Sequence, residues 1–133
     1  MSESFDDIQW HDASLKLLGI DRGQPGIRDE ISMEIVDVNG TAYTLVFTDC
    51  YEAHLALSFG VTAEETVRDV RRSSQSDSLE SMRIKWVRTD VDLSDVQQFE
   101  FETNSTASVI RILARACVIT RTRATPQAHR DLP

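Results

Sequence analysis

Asp29-Glu-Ile31-Ser-Met33-Glu-Ile35-Val-Asp37-Val38-Asn39-Gly40-Thr41-Ala-Tyr43-Thr-Leu45-Val-Phe47-Thr-Asp49-Cys50 is the stretch that decides the fold class. Ile31, Met33 and Ile35 alternate with Ser32 and Glu34. Tyr43, Leu45 and Phe47 alternate with Thr44 and Val46. Two period-2 runs around Asn39-Gly40 predict a β-hairpin with one buried face. A two-residue Asn-Gly loop would pair Val38 with Thr41 and aim the large apolar residues of the two strands at opposite faces. Burial forbids that, because a one-residue slip turns every side chain over. A loop of Val38, Asn39 and Gly40 instead pairs Asp37 with Thr41, and then Ile35 with Tyr43, Met33 with Leu45 and Ile31 with Phe47. Loops of that length close with a left-handed residue, which Gly40 adopts without a Cβ clash.

Working outward, Trp10 to Asp21 reads as a first strand. Ala13, Leu15 and Leu17 alternate, then Leu18 and Ile20 shift phase, which predicts a bulge. Gly23 to Gly26 is a turn. Tyr51 to Phe59 alternates again and is read as strand, although Ala, Glu, His and Leu there also suit a helix. Thr62-Ala-Glu-Glu65 has the form of a capping box, with Ala63, Val67 and Val70 on one helical face and Arg71-Arg72 in the last turn. A short helix over 62–72 is therefore expected, about three turns long. Ser73 to Ser78 is a polar loop, expected to be mobile. Met82, Ile84 and Trp86 alternate as a strand, as do Phe99 and Phe101. Ser108 to Thr120 is expected to be the longest strand, with Ile110, Ile112, Ala114, Ala116 and Val118 as an unbroken apolar face and Arg111, Arg115 and Arg121 opposite. Residues 1–121 are expected to form one domain and 122–133 a flexible tail. The predicted class is α+β: about seven mostly antiparallel strands in a curved sheet or two-layer sandwich, with one short helix.

Composition narrows the chemistry. The chain has 133 residues, 41% hydrophobic and 27% charged, in the ordinary range for a soluble domain. It is long enough to bury roughly two-thirds of its unfolded surface. The acidic opening Met1-Ser-Glu-Ser-Phe-Asp-Asp7 lacks a signal peptide's basic and apolar regions, and no apolar run approaches a membrane span. A cytoplasmic location is expected, with Cys50 and Cys117 as buried reduced thiols. Residues 1–65 carry 13 acidic and 3 basic side chains, a net of −10. Residues 66–133 carry 9 and 11, a net of +2, and the two sum to the chain's −8. That balance argues against a nucleic-acid partner and suits either a basic protein partner or simple solubility.

Few residues have the spacing of a reactive centre. The chain has 3 histidines, and His129 lies in the expected tail. His11 and Asp12, as neighbours on a strand, would point to opposite faces, so Asp12 would not orient the imidazole. Cys50 and His54 would meet on a helix but stand roughly 13 Å apart on a strand. Metal binding by His11, Asp12, Asp49 and His54 would need all of them to converge, and no ligand spacing asks for that. Glycine totals 5, and no phosphate-cradling or dinucleotide-binding motif is present. Asn104-Ser-Thr106 matches a glycosylation sequon and is read as a turn. No cofactor or metal is expected.

The opening Trp10-His11-Asp12-Ala13-Ser14-Leu15, running into Leu18-Gly-Ile20-Asp21 and followed by the hairpin and Leu45-Val-Phe47-Thr-Asp49-Cys50, resembles a group of small bacterial β-rich domains. In these an aromatic-His-Asp-Ala-x-aliphatic segment starts the first strand. Some members are immunity-like proteins that neutralise toxins. The resemblance covers roughly the first 50 residues and implies a binding domain without catalytic residues. With an acidic surface, it implies a basic protein partner, with Asp29, Glu30, Asp37 and Glu52 as contributors. One short helix is little cover for so much apolar strand face, so a homodimer is also expected. The rival readings are a small hydrolase-type enzyme using His11, Cys50 or His54, and a structural subunit of a larger assembly.

Overall fold

The hairpin adopts the longer loop. In the computed structural model, which describes residues 4–122, Ile31 pairs with Phe47, Met33 with Leu45, Ile35 with Tyr43 and Val36 with Ala42. The Asp37 amide donates to the Thr41 carbonyl at 2.9 Å, the Gly40 amide donates to the Asp37 carbonyl at 3.0 Å, and Gly40 has φ +85°. Met33, Leu45 and Phe47 are fully buried, so the face that burial demanded is the face obtained.

Six strands form one sheet: β1 (Ser14–Gln24), β2 (Arg28–Val36), β3 (Ala42–Ala56), β4 (Val67–Ser73), β5 (Gln97–Thr103) and β6 (Val109–Thr122). Their order is β1-β2-β3-β6-β5-β4, and every neighbouring pair is antiparallel. The expected count of about seven included Met82–Trp86, of which Met82–Lys85 is helical and Trp86 is the helix cap. β1 begins at Ser14 rather than Trp10, and its register slips between Leu15 and Leu17, close to the expected bulge. β3, with 15 residues, is longer than β6, with 14.

Curvature comes from the two long central strands. β3 pairs with β2 only as far as Phe47, then continues alone along β6 to Ala56. At that point Asp49 has φ +52° and the β3–β6 register shifts between Cys50 and Glu52. Such irregularities bend a strand and sharpen its twist. The apolar face expected on β6 breaks here: Ile110, Ile112, Ala114 and Ile119 are buried, whereas Ala116 and Val118 are exposed. The sheet curls until its two edges touch, with Ser14 bridging Thr66 beside the start of β4.

Aromatic side chains fill the inside of the curl. Phe47 lies 5.1 Å from Phe99 and 6.0 Å from Phe101, ring centre to ring centre. Phe5, in a 3-10 turn at Phe5–Asp7, reaches in to 5.2 Å from Phe99, and Trp10 stands 5.3 Å from Phe101. These rings meet tilted or edge-to-face, the favoured arrangement for aromatic pairs.

The helix α1 spans Asp77–Lys85, not 62–72. Ser76 caps it, accepting from the Leu79 amide at 3.1 Å, so the expected mobile loop ends in a helix start. Acids Asp77 and Glu80 stand in its first turn and bases Arg83 and Lys85 in its last. Leu79 and Met82, three apart, are fully buried with Leu93, Val96 and Leu113 on the outer side of the curl, whereas Ile84 is 64% exposed. The alternation of Met82, Ile84 and Trp86 was therefore accidental. Segment 62–72 gives up its helix because residues 67–73 supply the outer partner of β5, pairing Val70 with Phe101 and Arg72 with Phe99. The carboxylate of Glu65 accepts from Ser105 and Thr106 instead of closing a capping box.

Candidate functional site

The two sheet edges touch over only a few residues, and they part around a cavity. The Val67 amide donates to the Ala13 carbonyl and the Leu15 amide to the Glu65 carbonyl, both at 2.8 Å. Beyond Leu15 no backbone partner continues along the outer edge of β1 among the described residues. Instead, β1 and the segment 57–63 diverge around a cavity of about 270 Å³, with Leu15, Leu18, Leu57, Phe59, Val61 and Ile110 among its walls. An opening at the mouth of a curled sheet is a common place for a binding site.

The walls are held by polar contacts. Lys16 Nζ donates to Glu64 Oε1 at 2.7 Å across the seam. The Ser58 amide donates to Ser108 Oγ at 3.0 Å, tying the end of β3 to the β5–β6 turn. Ser105 Oγ donates to the Glu64 carbonyl at 2.9 Å, so the turn predicted at Asn104-Ser-Thr106 buttresses the cavity. Phe59, beside Gly60 with φ +99°, is 84% exposed. Leu17 and Val61 are about half exposed, at 49% and 50%. Apolar side chains of this size at a cavity rim mark a surface suited to burial by something else.

His11, Asp12, Cys50 and His54 do not line this cavity, although the Asp12 amide donates to the Val67 carbonyl at the end of the seam. His11 and Asp12 lie in a turn rather than on a strand, and Asp12 has φ +64°. Their side chains therefore approach to 3.5 Å, contrary to the expectation from strand geometry. The pair is open to solvent. His54 Nε2 lies 3.2 Å from Glu52 Oε1 on the exposed end of β3. Cys50 packs against the inner core, and its Sγ donates to the Phe47 carbonyl at 3.2 Å. Burial pushes the Cys50 thiol up to about 12, with the charges of Asp29, Asp49 and Glu30 adding to the effect against a hydrogen bond from the Ile31 backbone. Burial likewise pushes Cys117 up to about 12. Both cysteines are free and half-buried. A nucleophilic thiol needs the opposite shift. No group of His, Cys, Asp or Glu among the described residues gathers as metal ligands.

The acids named for partner binding are divided. Asp29 and Glu30 lie close enough to Cys50 to raise its pKa, together with Asp49. Asp29 also accepts from the Gly26 amide at 3.0 Å. Glu52 lies further along β3 and forms an ion pair with Lys85 at 3.1 Å. Asp37 sits at the opposite end of the hairpin, where its Oδ1 accepts from the Asn39 and Thr41 amides, each at 2.9 Å. That makes it part of the loop. The arginine stripe is divided too: Arg111 pairs with Glu100 at 2.8 Å, Arg115 pairs with Asp95, and Arg121 lies 5.8 Å over the Tyr43 ring. Residues 15–18, 57–63 and 103–110 were not recognised as a site from the sequence. The one signal available was the unusual series Leu57, Phe59, Val61, three large apolar residues around a glycine.

No family model, no curated protein and no solved structure matches the chain.

Proposed function

We propose that this protein is a non-catalytic binding domain for a basic protein partner, in the manner of the immunity-like domains that its first 50 residues resemble. One observation carries the reading: the two halves of the sheet treat their charges differently. On the β4–β6 half, Arg68 and Arg71 pair with Glu102, Arg72 with Asp6, Arg111 with Glu100 and Arg115 with Asp95. On the β1–β3 half, Asp21 pairs with Arg28 and Glu52 with Lys85, but Asp29, Glu30 and Glu34 form no ion pair among the described residues. Uncompensated acids of one sign attract a basic surface and speed its approach.

Two further features support the reading. The groups that a hydrolase would need are dispersed, with the thiol at Cys50 pushed toward its neutral form. No helix among the described residues is long and apolar enough to cross a membrane. A reducing compartment such as the cytoplasm suits the free cysteines.

Affinity capture from the native host on the immobilised chain tests the proposal. A basic protein should be retained in a stoichiometric complex and released as salt rises. Retention of no basic protein, or turnover of a small-molecule substrate by the purified chain, would overturn it.

A further inference from the structure

We infer that the bare edge of β1 and the cavity beside it form one docking groove, which takes an extended segment of a partner protein as an added strand with one large apolar side chain seated in the cavity. This rests on the binding-domain reading and specifies its site.

The two halves of the groove are independent observations. The first is backbone. Leu15 donates outward to Glu65, and the register slip between Leu15 and Leu17 then changes which residues face β2. Alternation from there leaves Leu18 and Ile20 with their N–H and C=O groups directed away from β2. An edge of this kind is a template for another strand. The second is the cavity, which lies against Leu15, Leu17 and Leu18 along that same edge and is also lined by Leu57 and Phe59. Strand addition uses both elements: main-chain hydrogen bonds give affinity, and pockets for alternate side chains give specificity. A small molecule would fill the cavity and leave the edge unpaired.

Charge and symmetry favour a foreign strand over a second copy. Segments 14–36 and 57–65, which flank the groove, contain six carboxylates (Asp21, Asp29, Glu30, Glu34, Glu64 and Glu65) against three bases, Lys16, Arg22 and Arg28. An incoming strand with Lys or Arg on either side of its apolar anchor complements that surplus. Two β1 edges related by a two-fold axis must match residues of the same face. An axis at Gly19 sets Leu18 against Ile20 but Leu17 against Asp21, and one at Ile20 sets Leu18 against Arg22. Either axis sets one apolar residue against a charged one, and self-pairing would bring the acidic surplus of both copies together.

The test uses blocked peptides of the pattern Lys-Thr-Thr-X-Thr-Thr-Lys, with X as Phe, Leu or Ala, titrated calorimetrically into the full chain. The Phe and Leu peptides should bind, the Ala peptide about tenfold more weakly. Bound peptide should slow hydrogen exchange at the Leu18 and Ile20 amides. Ile20→Pro removes an outward donor from an exposed edge position where proline is tolerated, and should weaken binding about tenfold with the circular dichroism unchanged. Should that variant unfold, Phe59→Ser at a solvent-exposed rim position supplies a second reading and should weaken the Phe peptide severalfold. Failure of both apolar peptides to bind, or binding that neither substitution alters, overturns the groove. So does light scattering that shows a dimer dissolved by Ile20→Pro, which would give the edge to a second copy. If no basic protein is captured from the host while the peptides bind, the functional reading fails and the groove stands. The reverse outcome removes the groove alone.

Discussion

β4 carries Arg68, Arg71 and Arg72 along an edge that the N-terminal segment crosses, whereas β1 presents Leu17 and Ile20 along an edge that no described segment crosses. At β4 the cover is specific. The Asp12 amide donates to the Val67 carbonyl at 2.8 Å, Asp6 pairs with Arg72 at 2.8 Å, and the Arg72 guanidinium lies 5.9 Å over the Phe5 ring. Trp10 Nε1 donates to the Phe5 carbonyl at 3.0 Å and locks the segment onto itself. At β1 the backbone pairing ends at Leu15 among the described residues, with the Lys16–Glu64 ion pair just beyond it. Charge, a covering segment and shortness are the ordinary ways to keep a sheet edge from pairing. One end of this sheet has all of them; the other runs for 11 residues, with charge at Lys16, Asp21 and Arg22 but no covering segment among the described residues. An asymmetry of this kind within one small sheet is the physical reason to look for function at β1.

The strongest way to break the comparison is to remove the cover from β4. Phe5→Ala takes a ring that is 6% exposed out of the inner core and should cost about 3 kcal/mol in urea unfolding. It should also speed hydrogen exchange at Val67 toward the rates of the β1 edge. Unchanged exchange there would mean that the segment does not protect the edge. Leu79→Ala, in the separate core under α1, should cost about 2 kcal/mol and leave the contrast between the edges intact. Ser76→Ala should cost about 1 kcal/mol through loss of the α1 cap, read by the same denaturation curves.

The thiols sharpen the comparison by reporting when the curl opens. Cys50 and Cys117 are both raised from 9.0 to about 12 in the folded chain. Because the neutral form is the one favoured by folding, their contribution to stability is complete below about 9 and declines as pH rises toward 12. Alkylation by iodoacetamide at pH 8 should therefore follow the unfolded fraction in a urea series. Rapid labelling of the native chain would contradict the burial of both groups. The smallest effect belongs to Leu17→Lys, which gives β1 a charge like those of β4. At a half-exposed edge position it should change stability by about 0.5 kcal/mol or less, read by urea unfolding.

Local pattern made much of this fold legible. The alternation of Ile31, Met33 and Ile35 against Tyr43, Leu45 and Phe47 leaves one register that buries both sets, and Gly40 permits the turn that register needs. The slip near Leu17 was visible as a change of phase. Legibility failed where one pattern fitted two structures. Thr62 to Arg72 satisfies a helix by caps and charge, but Val67 and Val70 suit a strand equally well, and the free side of β5 decided between them. Met82, Ile84 and Trp86 alternate like a strand, but Leu79 and Met82 share a helical face that only Leu113 and Val96 make worth burying. Of the proposed acids, Asp37 could have been recognised as a loop residue from its place before Asn39-Gly40, since aspartate commonly binds nearby backbone amides in turns.

By itself, the sequence determined the antiparallel class, the hairpin register and the surplus of acids in the first half, because each is written in residues near one another along the chain. The tertiary structure alone decided that β1 and β4 meet at Ser14 and Thr66, and that Leu15–Leu18, Leu57–Ala63 and Thr103–Ile110 enclose a common cavity. Those segments are brought together by the bend at Asp49 to Glu52 and by the rings packed inside the curl. Such long-range closure depends on how the whole core fills, and no local periodicity encodes it.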